Sequence, residues 1–211
     1  MVLRFYSKRL STTANTDDQE VFSKQWPVPV NVRAMKVETS DTNHDLELHA
    51  TIDGVEFLAD SDPKTLEQAD WIPINAGPRI NGKLQVLVDN THASNTPDVS
   101  VTFLVDVGVA PPDNMPWIVG DYLSSSSTEA INKVFDRDAV LAWAYLYFTG
   151  GTVKLRVGGN TIMGDDEGFI DEPKTPPQGV AYVQPIPANV ELDLVPSSAT
   201  GYYIVVVNKP R

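Results

Sequence analysis

The sequence contains no cysteine among its 211 residues. A disulfide framework, a thiolate nucleophile and a cysteine metal site are therefore excluded, and the composition fits a reducing compartment. Long apolar runs are also missing, since no stretch approaches the about 18 residues that a membrane-spanning helix needs. The N-terminus shows no apolar segment followed by a small-residue cleavage site. We therefore expect neither a membrane span nor a signal peptide.

Basic residues are scarce relative to acidic ones. The chain has 16 Lys and Arg against 28 Asp and Glu, which gives a formal net charge of -12 at pH 7. Dedicated nucleic-acid-binding proteins hold phosphates with clustered Lys and Arg, so this composition disfavours that class. The N-terminus is a local exception, because Arg4, Lys8 and Arg9 lie there among apolar residues. This segment is either an ordinary tail or an arm that contacts RNA.

Short segments of alternating apolar and polar residues, separated by turn residues, make up most of the chain after residue 25. Alternation of this kind predicts half-buried strands. It occurs at residues 46–50, 84–88, 99–105, 153–157 and 190–194. Residues 1–25 are polar and irregular and predict an N-terminal arm, which leaves residues 26–211 as a single domain.

Turn and helix signals complete the prediction of the fold. Asp53-Gly54 between apolar residues predicts a two-residue hairpin turn, and the pairs Gly150-Gly151 and Gly158-Gly159 predict turns as well. One helix is predicted over Ser127–Phe135, because a Ser or Thr cap precedes apolar residues at helical spacing. Eight or nine short strands with one helix predict an all-β sandwich rather than βαβ units.

The segment HDLELH offers a candidate metal site. If it is a strand, Asp45, Glu47 and His49 share one face, and a histidine with carboxylates could bind a divalent cation. The opposite parity holds Leu46 and Leu48, which predicts that the polar residues simply form the solvent-facing side. We expect the second arrangement.

Catalytic motifs are weak in this sequence. His92 lies in a predicted turn without an evident base or nucleophile nearby, and the serine run 124–127 has no neighbouring histidine. Neither a Gly-x-Ser-x-Gly elbow nor a phosphate-binding Gly-x-x-x-x-Gly-Lys loop is present. We expect no catalytic residues, no cofactor and no bound metal, and therefore no enzymatic activity.

An acidic loop is the best candidate for an ion site. It contains five carboxylates: Asp165, Asp166, Glu167, Asp171 and Glu172. Flexible loops with several carboxylates bind hard cations, although the spacing here does not match a helix-loop-helix calcium loop. A solvated loop is the simpler expectation. A pair of these carboxylates acting as acid and base is the corresponding enzymatic hypothesis.

Aromatic residues support a different alternative, a carbohydrate-binding β-sandwich in which exposed rings stack on sugars and the acidic loop holds a structural calcium. The candidates are Trp71, Trp117, Trp143, Tyr145 and Tyr147. In a strand, the last three share one face. That face could line a groove, or pack on the opposite sheet or on a neighbouring subunit.

One segment, residues 118–157, resembles capsid proteins of picorna-like viruses. Gly120-Asp121 stands where that family has Gly-Glu before a short helix, and residues 148–151 (FTGG) stand at its turn after an aromatic strand, with Thr149 in place of Arg. Residues 188–207 resemble the family's Val-Glu-x-x-Val-Pro-Tyr strand. Residues 82–108 resemble the paired strands that close such a subunit, although here they precede the helix.

This resemblance implies an eight-stranded antiparallel jelly-roll β-sandwich with one short helix and long loops. It implies a structural subunit of a small icosahedral positive-strand RNA virus, found in the virion and in the host cytoplasm during assembly. Its partners would be other capsid subunits and, weakly and without sequence specificity, the viral single-stranded RNA. The arm would become ordered on assembly.

Overall fold

A computed structural model describes residues 2–163 and 180–211. In this part of the chain strands dominate, and the single α-helix, α1 (Pro63–Leu66), has four residues. The chain divides into two compact units, residues 1–119 with Arg211, and residues 120–210. The predicted partition into 1–25 and 26–211 does not coincide with these units. Among the described residues, no helix is long and apolar enough to cross a membrane.

The first unit contains eight strands arranged in two sheets. They are β1 (Val2–Ser11), β2 (Thr16–Gln25), β3 (Val30–Thr39), β4 (Leu46–Ile52), β5 (Val55–Ser61), β6 (Ile72–Ala76), β7 (Lys83–Asn90) and β8 (Asp98–Val107). One sheet has the order β1-β8-β3-β6, and the strands β5-β4-β7-β2 are neighbours in the other. The antiparallel pairs β1–β8, β2–β7, β3–β6 and β4–β5 are nested like one long hairpin. A hairpin whose successive pairs alternate between two sheets is a jelly roll.

The second unit repeats this order. Its strands are β9 (Asn114–Leu123), which crosses the boundary between the units, β10 (Ile131–Val134), β11 (Ala139–Thr149), β12 (Thr152–Val157), β13 (Asn160–Met163), β14 (Val180–Ile186), β15 (Glu191–Ser197) and β16 (Thr200–Pro210). The sheet orders are β14-β11-β16-β9 and β10-β15-β12-β13. The predicted all-β jelly-roll class is confirmed, and the chain contains it twice rather than once.

The core of the first unit follows the predicted alternation. Val99, Val101, Phe103 and Val105 of β8 are fully buried, as are Leu84, Val86 and Val88 of β7. The rings of Phe22 on β2 and Phe103 on β8 meet with centroids 4.9 Å apart, which joins the two sheets across the core. Residues 82–108, which resemble strands that close a capsid subunit, are β7 and β8, the closing strands of this first jelly roll.

The prediction of an irregular arm is wrong for residues 2–11 and 16–25, which form β1 and β2. Two features hid these strands from the sequence. Nearly all of β1 is exposed, so its apolar residues do not alternate with polar ones. Strand β2 pairs with β7 through two register shifts, which interrupt the period of two and bring the neighbours Val21 and Phe22 both into the interior.

The prediction of a helix over Ser127–Phe135 is also wrong. Residues 131–134 form β10, whose register with β15 pairs Ile131 with Leu194. Ile131 and Phe135 are buried, but Val134, a member of the predicted helical stripe, is 52% exposed. Three apolar residues in a short segment fit either period, and pairing with β15 satisfies the backbone without a helical turn.

The helix that does form lies in the polar segment between β5 and β6. Asp62 caps α1 by accepting hydrogen bonds from the backbone N–H groups of Lys64 and Thr65, and Pro63 occupies its first turn. An aspartate followed by a proline is an N-terminal helix signal, so this element could have been recognised from the sequence.

Candidate interaction surfaces

Strand β1 exposes apolar side chains at the edge of its sheet. It pairs only with β8 in the order β1-β8-β3-β6, so its second edge is unpaired within this sheet. Val2, Leu3 and Phe5 are 50%, 55% and 65% exposed. Edge strands that are long and apolar are sites where other chains associate, and proteins usually shorten or shield them.

Leu3 and Phe5 project from the outer face of the sheet. Phe5 is paired with Leu104, whose neighbours Phe103 and Val105 point into the core. The ring of Phe5 also lies 6.1 Å from the ring of Trp71, which precedes β6 at the opposite edge of the sheet. We call Leu3, Phe5, Trp71 and Leu104 the apolar patch.

The same strand is cationic. The sequence of β1, VLRFYSKRLS, has three basic residues and no acidic one, in a chain where acidic residues outnumber basic ones. Arg9 forms an ion pair with Asp98 of β8. Arg4 and Lys8 are exposed, and we call these two residues the cationic edge. They lie on the segment that the sequence singled out as basic.

The other sheet of the first unit carries an acidic outer face. Leu46 and Leu48 of β4 are fully buried, so the prediction that Glu47 and His49 occupy the solvent-facing side is confirmed. Nε2 of His49 lies 3.3 Å from Oδ1 of Asp18, and its Nδ1 lies 3.9 Å from Asp60 and 3.8 Å from Asp89.

Carboxylates crowd one another on this face. Glu47 and Asp89 are directly paired across β4 and β7, and like charges at such positions are destabilising. Burial, followed by the charges of Asp60 and Asp89, raises the pKa of the Glu47 carboxyl above its ordinary value. We call Asp18, Glu47, Asp60 and Asp89 the acidic face. Within residues 2–163 and 180–211, no three or more His, Asp or Glu side chains are grouped so that they could hold a metal ion.

Sequence reasoning recognised only part of this face. Glu47 and His49 were found because they share a strand with buried leucines, but Asp18, Asp60 and Asp89 come from three other strands. Only the register of the sheet brings these carboxylates around His49. The acidic excess of the whole chain was the single sequence signal for them.

The other two histidines have local structural roles. Nδ1 of His44 lies 2.6 Å from Oδ2 of Asp62, the residue that caps α1. Nδ1 of His92 accepts hydrogen bonds from the backbone N–H groups of Ser94 and Asn95, at 3.1 and 2.9 Å. These imidazoles stabilise a helix start and a turn.

The remaining polar candidates are the serine run 124–127 and the acidic loop. The serine run forms a turn in which the N–H of Ser127 donates to the carbonyl of Ser124, and the hydroxyls of Ser124 and Ser126 lie 2.8 Å apart. The acidic loop, Asp165 to Glu172, lies outside the described residues.

In the second unit, the predicted common face of Trp143, Tyr145 and Tyr147 is present. A register shift after Leu141 places these residues opposite Val206, Ile204 and Tyr202 of β16. The rings of Tyr147 and Tyr202 stack at 6.2 Å with an interplanar angle of 20°. The face is therefore a packed cluster of aromatic and aliphatic side chains.

Burial affects the aromatic candidates unequally. Tyr145 is 4% exposed and Trp117 is 6% exposed, whereas Trp71 is 37% exposed. Burial raises the pKa of Tyr145 to about 12, and the nearby phenols of Tyr147 and Tyr202 contribute. Burial likewise raises the pKa of Tyr203, whose hydroxyl donates to the carbonyl of Ala130 at 3.0 Å. A sugar stacks on exposed rings, so Trp117 and Tyr145 are unsuited to that role.

Comparison with known proteins finds a likeness in structure but none in sequence. No family model matches this chain, and no curated protein matches it. Among solved structures, the chain is similar to the major capsid protein P2 from bacteriophage PM2, with 14% sequence identity and a TM-score of 0.44. The match covers 97% of this chain and 96% of that chain.

Proposed function

We propose that this protein is a structural subunit of a viral capsid, without enzymatic activity. The observation that carries the proposal is the repeated fold, two jelly rolls with the same strand order in one chain. Jelly rolls recur in viral capsid proteins, in lectin domains and in cupins. A shell subunit needs rigid units with large surfaces for neighbours, and two sandwiches in tandem supply them.

Two further features support a role in assembly. The apolar patch exposes large side chains on the outer face of a sheet, and contiguous exposed apolar surface is typical of protein interaction sites. The resemblance of residues 118–157 and 188–207 to capsid proteins of picorna-like viruses falls on the second unit except for residues 118 and 119. From that resemblance we propose an icosahedral shell around positive-strand RNA, which the shell contacts weakly. The protein would reside in the virion and, during assembly, in the host cytoplasm.

The test is to purify particles from the native source and identify their proteins by mass spectrometry, with electron microscopy of the same fractions. We expect this chain to be a major protein of the particles, with a fixed number of copies in each particle. Particles that lack the chain would contradict a capsid role. The proposal of a positive-strand RNA genome has two further tests. The extracted genome should be degraded by ribonuclease, and it should be translated directly.

A carbohydrate-binding module is the alternative from the sequence, and the described residues do not favour it. Its five aromatic candidates are divided between the two units, and Trp117 and Tyr145 are buried. A glycan array with the full chain separates the two functions, because a capsid subunit of the proposed kind needs no glycan to assemble.

A further inference from the structure

We propose that strand β1 binds an extended acidic peptide segment of a neighbouring protein, which adds to the sheet β1-β8-β3-β6 as a further strand. This inference rests on the proposed function, because it names a contact through which a capsid subunit would hold its neighbour. It assigns a partner to an edge strand that carries three basic residues in an acidic chain.

The side chains of the cationic edge point toward the interior side of the sheet. Arg4 is paired with Val105 and Lys8 with Val101, and both valines of β8 are fully buried. Directly paired residues of neighbouring strands project from the same face of a sheet. Arg4 and Lys8 therefore project from the inner face of β1, on the other side from the apolar patch and toward β2.

Strand β2 adds a third cation to this side. Lys24 is paired with the fully buried Leu84 of β7, so it too projects inward. Its Nζ lies 4.8 Å from the centre of the Tyr6 ring and 5.5 Å from that of Trp26. Tyr6 lies midway between the two residues of the cationic edge on β1. We call Arg4, Lys8 and Lys24 the cationic rim.

Hydrogen-bond acceptors are lacking around the cationic rim. In the part of the chain that the structure describes, Arg9 and Lys83 form ion pairs with carboxylates, but no residue of the cationic rim does. The rings of Tyr6 and Trp26 meet edge to face, with centroids 5.6 Å apart, and the indole N–H of Trp26 is buried without an acceptor among the described residues. Donors without acceptors favour an anionic partner.

The spacing of the side chains matches that of a strand. Arg4, Tyr6 and Lys8 occupy alternate positions of β1, so they follow one another at intervals of about 7 Å. A single small anion reaches only part of this row, whereas a strand laid beside β1 places its own alternate side chains at the same interval. Acidic residues at every second position of that strand would meet Arg4, Lys24 above Tyr6, and Lys8 in turn.

The backbone of β1 favours a peptide over another polyanion. Strand β1 pairs only with β8 in its sheet, so half of its N–H and C=O groups point away from any strand of that sheet. An added strand pairs with those groups, which is a common mode of peptide recognition. Single-stranded RNA offers phosphates but no such backbone, and the net charge of -12 repels it.

The cationic rim also disfavours β1 of a second copy as the added strand. An antiparallel pair centred on Tyr6 would place Arg4 directly opposite the Lys8 of the other copy, and like charges at such positions are destabilising. Inward-pointing charges protect edge strands from unspecific pairing. Here they disfavour basic and apolar strands and leave an acidic strand as the matching partner.

Binding of synthetic peptides to the full chain tests the proposal. The probe is a fluorescent peptide of about nine residues in which Thr and Glu alternate. One control peptide has the same composition with its glutamates consecutive, and another is the alternating peptide with a methylated backbone that cannot pair with a strand edge. The variants are Arg4→Glu and Lys8→Glu, with Arg79→Glu as the matched control, because Arg79 is exposed outside β1 and its reversal changes the net charge by the same amount.

Fluorescence anisotropy measures peptide binding, and circular dichroism confirms that each variant folds. We expect saturable binding of the alternating peptide that weakens with salt, and a loss of about 10-fold or more in Arg4→Glu and in Lys8→Glu. Arg79→Glu should bind as the wild type does, and both control peptides should bind about 10-fold more weakly or less. A single-stranded oligouridylate is measured in parallel.

Three results would overturn the proposal: a wild-type chain that does not bind the alternating peptide, equal binding of the backbone-methylated peptide, or binding of the oligouridylate in place of the peptide. Replacement of Arg4 and Lys8 by Thr adds a fourth. If that variant self-associates while the wild type binds no peptide, the cations serve only to protect the edge.

The outcome is separable from the proposed function. Particles that contain the chain, together with a purified chain that ignores the alternating peptide, would overturn this inference and leave the capsid role intact. Peptide binding by a chain that is absent from particles would do the reverse.

Discussion

The two jelly rolls share one strand order but differ in which faces are buried, and their last strands show this most clearly. In β8 the side chains alternate between buried and half-buried along residues 98–105. In β16 five consecutive residues, Tyr203 to Val207, are each at most 2% exposed. Strand order therefore does not determine whether the outer face of a sheet meets water.

The sequences of the two strands account for the difference. Strand β8 reads DVSVTFLVDV, with polar residues at alternate positions, whereas β16 reads TGYYIVVVNKP with an uninterrupted apolar centre. A strand with one wet face alternates, and a strand covered on both faces is continuously apolar. The outer side of β8 accordingly meets water in part, whereas residues 203–207 of β16 are covered on both sides.

Truncation on the outer face of β16 is expected to have the largest effect. Ile204 is fully buried and is paired with Tyr145. We expect Ile204→Ala to lower the free energy of unfolding by about 2–5 kcal/mol, because three buried side-chain carbons are lost and a cavity is left. Chemical denaturation followed by circular dichroism measures this loss.

The matched change in the first unit is Thr102→Ala on the outer face of β8. Thr102 is half-buried and its hydroxyl donates to the Ser7 hydroxyl at 2.9 Å. Its replacement should change stability by no more than about 0.5 kcal/mol, as is usual at a surface position. Equal losses at Ile204 and Thr102 would contradict the contrast between the two faces.

The hairpins between the fourth and fifth strands make a second comparison. Asp53-Gly54 joins β4 to β5 with φ angles of 54° and 76°, and Gly158-Gly159 joins β12 to β13 with 56° and 78°. The backbones of the two turns are alike, but only the first has a side chain, that of Asp53, which accepts hydrogen bonds. Its carboxylate accepts hydrogen bonds from the N–H groups of Arg79 and Lys83 and from the guanidinium of Arg211, at 2.9, 3.0 and 2.9 Å.

We therefore expect Asp53→Ala to cost about 2–3 kcal/mol, since hydrogen bonds to a charged acceptor are lost. Gly158→Ala in the other hairpin should cost about 1–2 kcal/mol, from the left-handed backbone and from the added Cβ, which would lie 3.1 Å from Cγ1 of Val190. Denaturation curves of the two variants test whether Asp53→Ala costs more stability than Gly158→Ala. Both oxygens of Asp53 accept hydrogen bonds, Oδ1 from Lys83 and Oδ2 from Arg79 and Arg211. Asp53→Asn keeps one of these acceptors and should lose less than Asp53→Ala; an equal loss would contradict a contribution from the retained hydrogen bond.

Much of this architecture could be predicted from local pattern. The Asp53-Gly54 and Gly158-Gly159 turns were expected because glycine permits positive φ, and the strands at 84–88 and 99–105 because alternation reflects a sheet with one buried face. The jelly-roll class followed from resemblance. These signals depend only on residues that are close in sequence, so they are the same in any arrangement of the strands.

The second jelly roll and the surfaces of the first were not predictable in this way. The repeat has no sequence period, because equivalent strands such as β8 and β16 are adapted to different surroundings. Strand β1 carries no alternation because it is exposed on both sides. The acidic face depends on the register between β4 and β7, which no single segment encodes.

The phenol of Tyr145 offers a spectroscopic check on the covered face. Its pKa is raised to about 12, whereas an unfolded chain titrates near 10. Below about pH 10 the phenol is protonated in both states and the stabilisation is complete; as the pH rises toward about 12, the unfolded chain ionises first and stability falls. Tyr145→Phe should flatten this decline. Denaturation of both proteins between about pH 9 and pH 12 measures this decline, and an unchanged slope in the variant would contradict burial of this phenol.

A small effect of opposite sign is expected on the acidic face, where the isolated chain should gain stability. Glu47→Gln removes the repulsion with Asp89 and Asp60, so we expect an increase of a few tenths to about 1 kcal/mol at neutral pH. Because the pKa of Glu47 is raised, its protonation relieves the same repulsion as the pH falls, and the gain of the variant should shrink with acidification and with salt. Glu56→Gln is the control, because Glu56 is an exposed residue of β5, and it should stay within about 0.5 kcal/mol of the wild type. Denaturation midpoints at neutral and acidic pH measure the stability change of Glu47→Gln. A gain that is independent of pH would place its cause outside the carboxylates. A loss would show that Glu47 has a stabilising partner in the isolated chain.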